Sequence, residues 1–150
     1  MKILAIDPGP VESAFVVWTG AHIQAKGKVP NAKMLQIIKE ESRDCQHMVC
    51  EMIASYGMAV GKEVFETCVW IGRFIQHSGG DMERLFRKDI KIHICGSVKA
   101  KDSNIRQALI DRFGGPGTVK NPGVTHGVSK DIWAALAVAV TYNDQLDKQI

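Results

Sequence analysis

Residues 1–9, Met1-Lys-Ile-Leu-Ala-Ile-Asp-Pro-Gly9, form a hydrophobic run that ends on a carboxylate and is followed at once by two residues that stop a strand. Proline removes a ladder donor and glycine opens turn conformations closed to other residues. Lys2–Ile6 therefore reads as a buried strand, with Asp7 standing where it leaves the sheet. Open α/β sheets keep their chemistry at such strand ends.

Working outward, Ala14–Thr19 and Ala21–Val29 read as two further strands, with tight turns after Gly9 and at Gly20. Three consecutive strands imply an antiparallel meander. After Pro30, a helix with Asn31 as its cap carries Met34, Ile37, Ile38 and Glu41 at helical spacing. Gln46–Ile53 is a short strand carrying one acid, Glu51, and Glu63–Ser78 is a helix with a stripe of Val64, Cys68, Ile71 and Ile75. Asp89–Gly96, DIKIHICG, is expected as a fifth strand. A helix capped by Asp102 or Ser103 follows, with Ile105, Ala108, Leu109 and Phe113 inward and Gly114 as its stop. The Gly- and Pro-rich stretch 114–129 is expected as a mobile loop, and Ser129 as the cap of a last helix over Lys130–Leu146. A meander followed by βα units gives an α/β fold with a mixed five-stranded sheet and helices on both faces.

The 150 residues, 45% hydrophobic and 23% charged, suit a single globular domain. No run is long and apolar enough for a membrane span or a signal peptide, so a cytoplasmic protein without a membrane partner is expected. Cys45, Cys50, Cys68 and Cys95 form no Cys-x-x-Cys pair and read as buried free thiols. A net charge of +3 is compatible with nucleic acid without pointing to it.

Asp7 ends the first strand, Glu51 lies in the fourth, and Asp131 falls in the first turn of the last helix, each a lone acid in apolar surroundings. Singly they could be a turn former, an outward edge residue and a favourable charge at a helix start. Together they converge, because the first and fourth strands of such a sheet are parallel neighbours and a helix N-terminus can drop its acid onto the same rim. Carboxylates that close repel unless cations separate them. Hard oxygen ligands suit Mg²⁺ or Mn²⁺, and two such ions about 4 Å apart clamp the attacking and leaving oxygens of a phosphoryl transfer.

The Asp7-Pro8-Gly9 strand end, the Glu51 strand and the late helix with an acid just before Ala-Leu-Ala-Val-Ala-Val resemble the RNase H-like superfamily, specifically the RuvC-type Holliday-junction resolvases. The likeness covers nearly the whole chain in element order and length, and the small size and divergent middle resemble versions carried by bacteriophages or prophages. It implies a crossover junction endodeoxyribonuclease: a metal-dependent, structure-specific enzyme resolving four-way junctions by paired symmetric nicks. Asp7, Glu51 and Asp131 would be its catalytic metal ligands, holding two Mg²⁺ ions, or Mn²⁺ as a substitute, in a bacterial host cell. The family usually places a fourth acid one helical turn beyond the first in the last helix. Here Ala134 stands at that position, with His126, Lys130 and Asp102 as nearby substitutes.

The resemblance also implies phosphate-binding cations near the cleaved strand, for which Lys99 and Lys101 are the best placed, with Lys62 and Lys130 extending the track. Tyr56, in the loop after Glu51, is a candidate for stacking on bases at the junction centre. Two symmetric nicks imply a two-fold homodimer. The helix Glu63–His77, apolar on more than one side, is expected to supply its interface. Alternatives are a nuclease for branched or flap DNA in general, a non-catalytic junction-binding protein, and a nucleotide-binding ATPase of the actin and sugar-kinase type. The last needs a second domain that this chain has no length for.

Overall fold

The computed structural model describes residues 1–149. Strands β1 (Ile3–Asp7), β2 (Glu12–Trp18), β3 (Ile23–Pro30), β4 (His47–Met52) and β5 (Glu83–Phe86) form one sheet in the order β3-β2-β1-β4-β5. β1, β2 and β3 pair antiparallel, whereas β4 runs parallel to both β1 and β5. The helices are α1 (Asn31–Glu41), α2 (Lys62–His77), α3 (Arg87–Cys95), α4 (Asp102–Phe113) and α5 (Ile132–Asp147).

Alternation along β1 sends its side chains into two cores. Leu4 and Ile6 join Phe15 and Val17 beneath Met34 and Ile38 of α1 and Ile71 and Phe74 of α2. Ile3 and Ala5 join Val16, Trp18 and Val49 on the opposite face, under Ile90 of α3, Ile105 and Leu109 of α4 and most of α5. α5 is buried from Ala135 through Thr141. A helix apolar around nearly all its circumference can only be a core element, and its alanines let the backbone settle close to β1 and β2. Truncating Leu136, which is fully buried, to Ala would cost about 2–5 kcal/mol.

The expected fifth strand is corrected. Residues 89–95 lie in α3, and the fifth strand is Glu83–Phe86. Ile90, Ile92 and Ile94 alternate as a strand would, but Ile90 and Ile94 are also four apart. Those two pack into the core while Ile92 is exposed, and Gly96, at φ 76°, ends the helix in the left-handed region that glycine favours. β5 is a four-residue edge strand with only Leu85 half-buried, too short to show a period.

Three expected caps are corrected as well. Asn31 is the first helical residue of α1, and its side chain is committed elsewhere, to the turn after β1. At α4 the flanking residue is Lys101, whose backbone N–H donates to Asn104 Oδ1 at 2.9 Å. At α5 it is Asp131 rather than Ser129. The 114–129 stretch is irregular as expected but internally tied: Gly117 bridges Pro122, and Thr125 Oγ1 donates to the Gly114 carbonyl at 2.9 Å.

Candidate active site

Ile6 lies opposite Cys50 in the parallel pairing of β1 with β4, so the next residues, Asp7 and Glu51, come side by side on the face covered by α5. The turn after Asp7 is locked. A Cβ on Gly9 would meet the Glu12 carbonyl at 2.3 Å, so only glycine fits. Gly9 N–H donates to Ser13 Oγ (3.1 Å), Ser13 Oγ donates to Asn31 Oδ1 (2.6 Å), and Asn31 Nδ2 donates to the Gly9 carbonyl (2.9 Å). Buried polar groups satisfied this completely fix the strand end, and Asp7 with it.

Glu51 is 6% exposed. Burial pushes the Asp7 carboxyl up to about 9, helped by the negative charge of Glu51, a hydrogen bond between the two acids, and the charge of Asp131, with Arg87 pulling the other way. At neutral pH the coupled pair thus favours one proton held between its two carboxyl groups. Asp131, at the start of α5, is bound through Oδ2 to Lys28 Nζ at 2.7 Å. β-sheet register explains this partner, since Asp7, Ala14 and Lys28 align across β1, β2 and β3. On the other side, the Arg87 guanidinium reaches Glu51 Oε1 at 3.3 Å and also pairs with Asp102 at the start of α4.

The three acids expected from the sequence therefore share one rim, but not as one ligand cage. Among the described residues, no group of three or more His, Cys, Asp or Glu side chains is drawn close enough to hold an ion. Asp7 and Glu51 fit a hard divalent cation, whose charge would satisfy both carboxylates in place of the shared proton. Asp131 and Asp102 stand on either side, each engaged by a basic side chain. Ala134 contributes only its methyl group to a cavity of about 50 Å³ that Asp102, Lys130, Asp131 and Trp133 also line.

Lys99 and Lys101 are exposed in the turn between α3 and α4, not directly after a strand as expected. Lys62 opens α2, and Lys130 precedes Asp131 with a positive φ of 47°. Tyr56 is 63% exposed, with Lys88 Nζ 5.9 Å from its ring centre. With Arg87, Lys88, Lys91 and Val98 it lines a cavity of about 380 Å³ beside the acids. His126 is engaged elsewhere on its loop. Its Nδ1 lies 3.0 Å from the Pro116 carbonyl, and it lines a cavity with His22 and Lys26 along the outer edge of the sheet. Sequence reasoning missed Lys28, Arg87, Lys88 and Lys91. The Arg-Lys pair directly after Leu85-Phe86 was the available signal, hidden once the fifth strand was set too late.

No protein-family model matches the chain, and no curated protein sequence does. Two solved structures match it over nearly their whole length. The Thermus thermophilus RuvC structure has a TM-score of 0.66 at 15% identity, covering 99% of this chain and 97% of that one. T. thermophilus RuvC in complex with Holliday junction substrate has a TM-score of 0.67 at 15% identity, covering 99% and 96%. The five-stranded mixed sheet with helices on both faces is the RNase H-like fold, in the arrangement found in RuvC.

Proposed function

We propose that this protein is a divalent-metal-dependent endonuclease that cuts branched DNA, four-way junctions above all, as a two-fold homodimer. The observation that carries the reading is the pairing of half-buried Asp7 with buried Glu51 at the ends of two parallel central strands. It occurs in a fold shared end to end with a protein solved on a Holliday junction.

A Mg²⁺ or Mn²⁺ ion held by Asp7 and Glu51 would act as a Lewis acid, polarising the scissile phosphate and making water acidic enough to attack near neutral pH. In the hydrolysis, a water oxygen bonds to phosphorus as the bond from phosphorus to the 3′ oxygen breaks. The water gives up a proton to solvent and the 3′ oxygen takes one, leaving a 5′-phosphate and a 3′-hydroxyl. Asp131 lies on the same rim, oriented by Lys28. Lys62, Lys99, Lys101 and Lys130 hold backbone phosphates, which fixes the register of the DNA without reading its sequence. Tyr56, exposed on its loop, stacks on a base, worth about 1–3 kcal/mol. Phe65 and Val69, exposed at 62% and 58% on the outward side of α2, form the centre of the dimer contact that paired nicks require.

The test is cleavage of a labelled immobile four-way junction with Mg²⁺ or Mn²⁺, beside duplex and flap controls and an Asp7→Asn protein. Paired nicks on opposing strands of the junction, absent in the variant, are expected. Equal cutting of every branched substrate would replace the proposal with a general branched-DNA nuclease. Tight junction binding without cleavage would replace it with a non-catalytic binding protein.

A further inference from the structure

We propose that Arg87 takes the place of a second metal ion, so that the centre works with one divalent cation and one fixed guanidinium. This rests on the nuclease reading above and deepens it.

Charge placement points this way. Four carboxylates, Asp7, Glu51, Asp102 and Asp131, meet at one rim, and the outer two are already paired with Arg87 and Lys28. Arg87 also touches Glu51, so the four acids and the two basic groups together leave two net negative charges, which match one divalent ion and leave nothing for another. Donor supply gives the same answer. A second ion would have only Asp131 and Asp102 beside Ala134, both already engaged by Lys28 and Arg87, because Ala134 offers no oxygen one turn further on.

Arg87 itself is held as a working cation must be. It is the first residue of α3, directly after β5, and Ile90, buried one turn on, anchors that helix start. Two nitrogens of its guanidinium engage acids from two different elements, Glu51 on β4 and Asp102 on α4. A guanidinium carries five N–H donors in a rigid fork, so donors remain for a phosphate. The group also borders the cavity of about 380 Å³ lined by Tyr56, Lys88, Lys91 and Val98, a basic and aromatic trough suited to a DNA strand. A phosphate seated between the metal side and this trough meets the guanidinium on a non-bridging oxygen, where charge accumulates during the reaction.

A plain strut between β4 and α4 would use the same two ion pairs, so the experiment separates the roles. Mn²⁺ is titrated into the full chain without DNA, by calorimetry and by electron paramagnetic resonance. One ion per chain with the spectrum of an isolated Mn²⁺ is expected; two ions with a spin-coupled spectrum would overturn the proposal, whatever the DNA result. At saturating Mn²⁺, Arg87→Ala should lower kcat for junction cleavage at least 100-fold, change Mn²⁺ affinity less than about threefold, and regain activity with added guanidinium ion. Cleavage within threefold of wild type, or loss without rescue in a folded protein, would refute it. Should Arg87→Ala not fold, Arg87→Lys serves, with a loss of at least tenfold expected and unchanged activity refuting. Failure of the nuclease reading looks different: a wild-type protein that cuts no branched DNA.

Discussion

Replacing Asp7 with asparagine should abolish cleavage and yet make the metal-free protein more stable. The native Asp7 carboxyl keeps its proton up to about pH 9, whereas in the unfolded chain it releases it near 3.8. Between those values the native state binds more protons than the unfolded state, so stability falls as pH rises through the window. At pH 7 the unfolded carboxyl is about three pH units past its ordinary value, and each unit is worth about 1.4 kcal/mol, which sets a ceiling of about 4 kcal/mol. Rotation of the side chain toward the open rim recovers part of this, leaving an expected gain of about 1–3 kcal/mol for the variant. Its neutral amide still donates to Glu51 and carries no such cost. For a chain of this size that is a rise in Tm of about 3–10 °C. The assay is thermal and urea unfolding of both proteins in chelator from pH 4 to pH 8.5. The difference should vanish near pH 4 and widen toward pH 8, and Mg²⁺ should stabilise only the wild type. A variant no more stable than wild type at any pH, or a gap that narrows as pH rises, would refute the proton-sharing pair.

Asn31→Ala strands the Gly9 carbonyl and Ser13 hydroxyl and should cost about 2–3 kcal/mol in urea unfolding, with a lower cleavage rate. Phe65→Asp with Val69→Asp should leave the fold intact, give a monomer in sedimentation velocity, and uncouple the two nicks on a junction. Arg112 and His93 hold Asp144 below its ordinary 3.8, so its stabilisation is present above that value and lost as pH falls through the depressed one. Asp144→Asn should therefore cost about 1 kcal/mol in unfolding at pH 7, a cost that fades in acid below pH 3.8.

Asp7 and Glu51 stood out in the sequence because one closes and the other interrupts an apolar run that reads as a strand, and parallel pairing of those strands is a property of the topology. Asp131 was legible as the last charge before an unbroken apolar helix. Arg87 was not, because β5 has four residues and one half-buried side chain, and the Ile-x-Ile-x-Ile that follows satisfies strand and helix periods alike. Lys28 becomes a partner of Asp131 only through the register of β3 on β2, which no local pattern encodes. Asn31 shows a local signal overruled: a good capping residue was recruited by a turn 22 residues earlier. The surroundings of His126 were not legible either, because its loop follows the edge of β3, where Gly127 lies against Lys26.

The burial of α5 against β1 and β2 has a consequence for how the protein is made. The helix that brings Asp131 to the rim also fills the core over strands synthesised more than a hundred residues earlier. Until residues 132–147 have been made, one face of the sheet has only α3 and α4 against it and lacks most of its core. Its most distant contacts thus close last, the pattern of slow-folding topologies. A nascent chain thus carries Asp7 and Glu51 well before it holds the helix that sets Asp131 beside them.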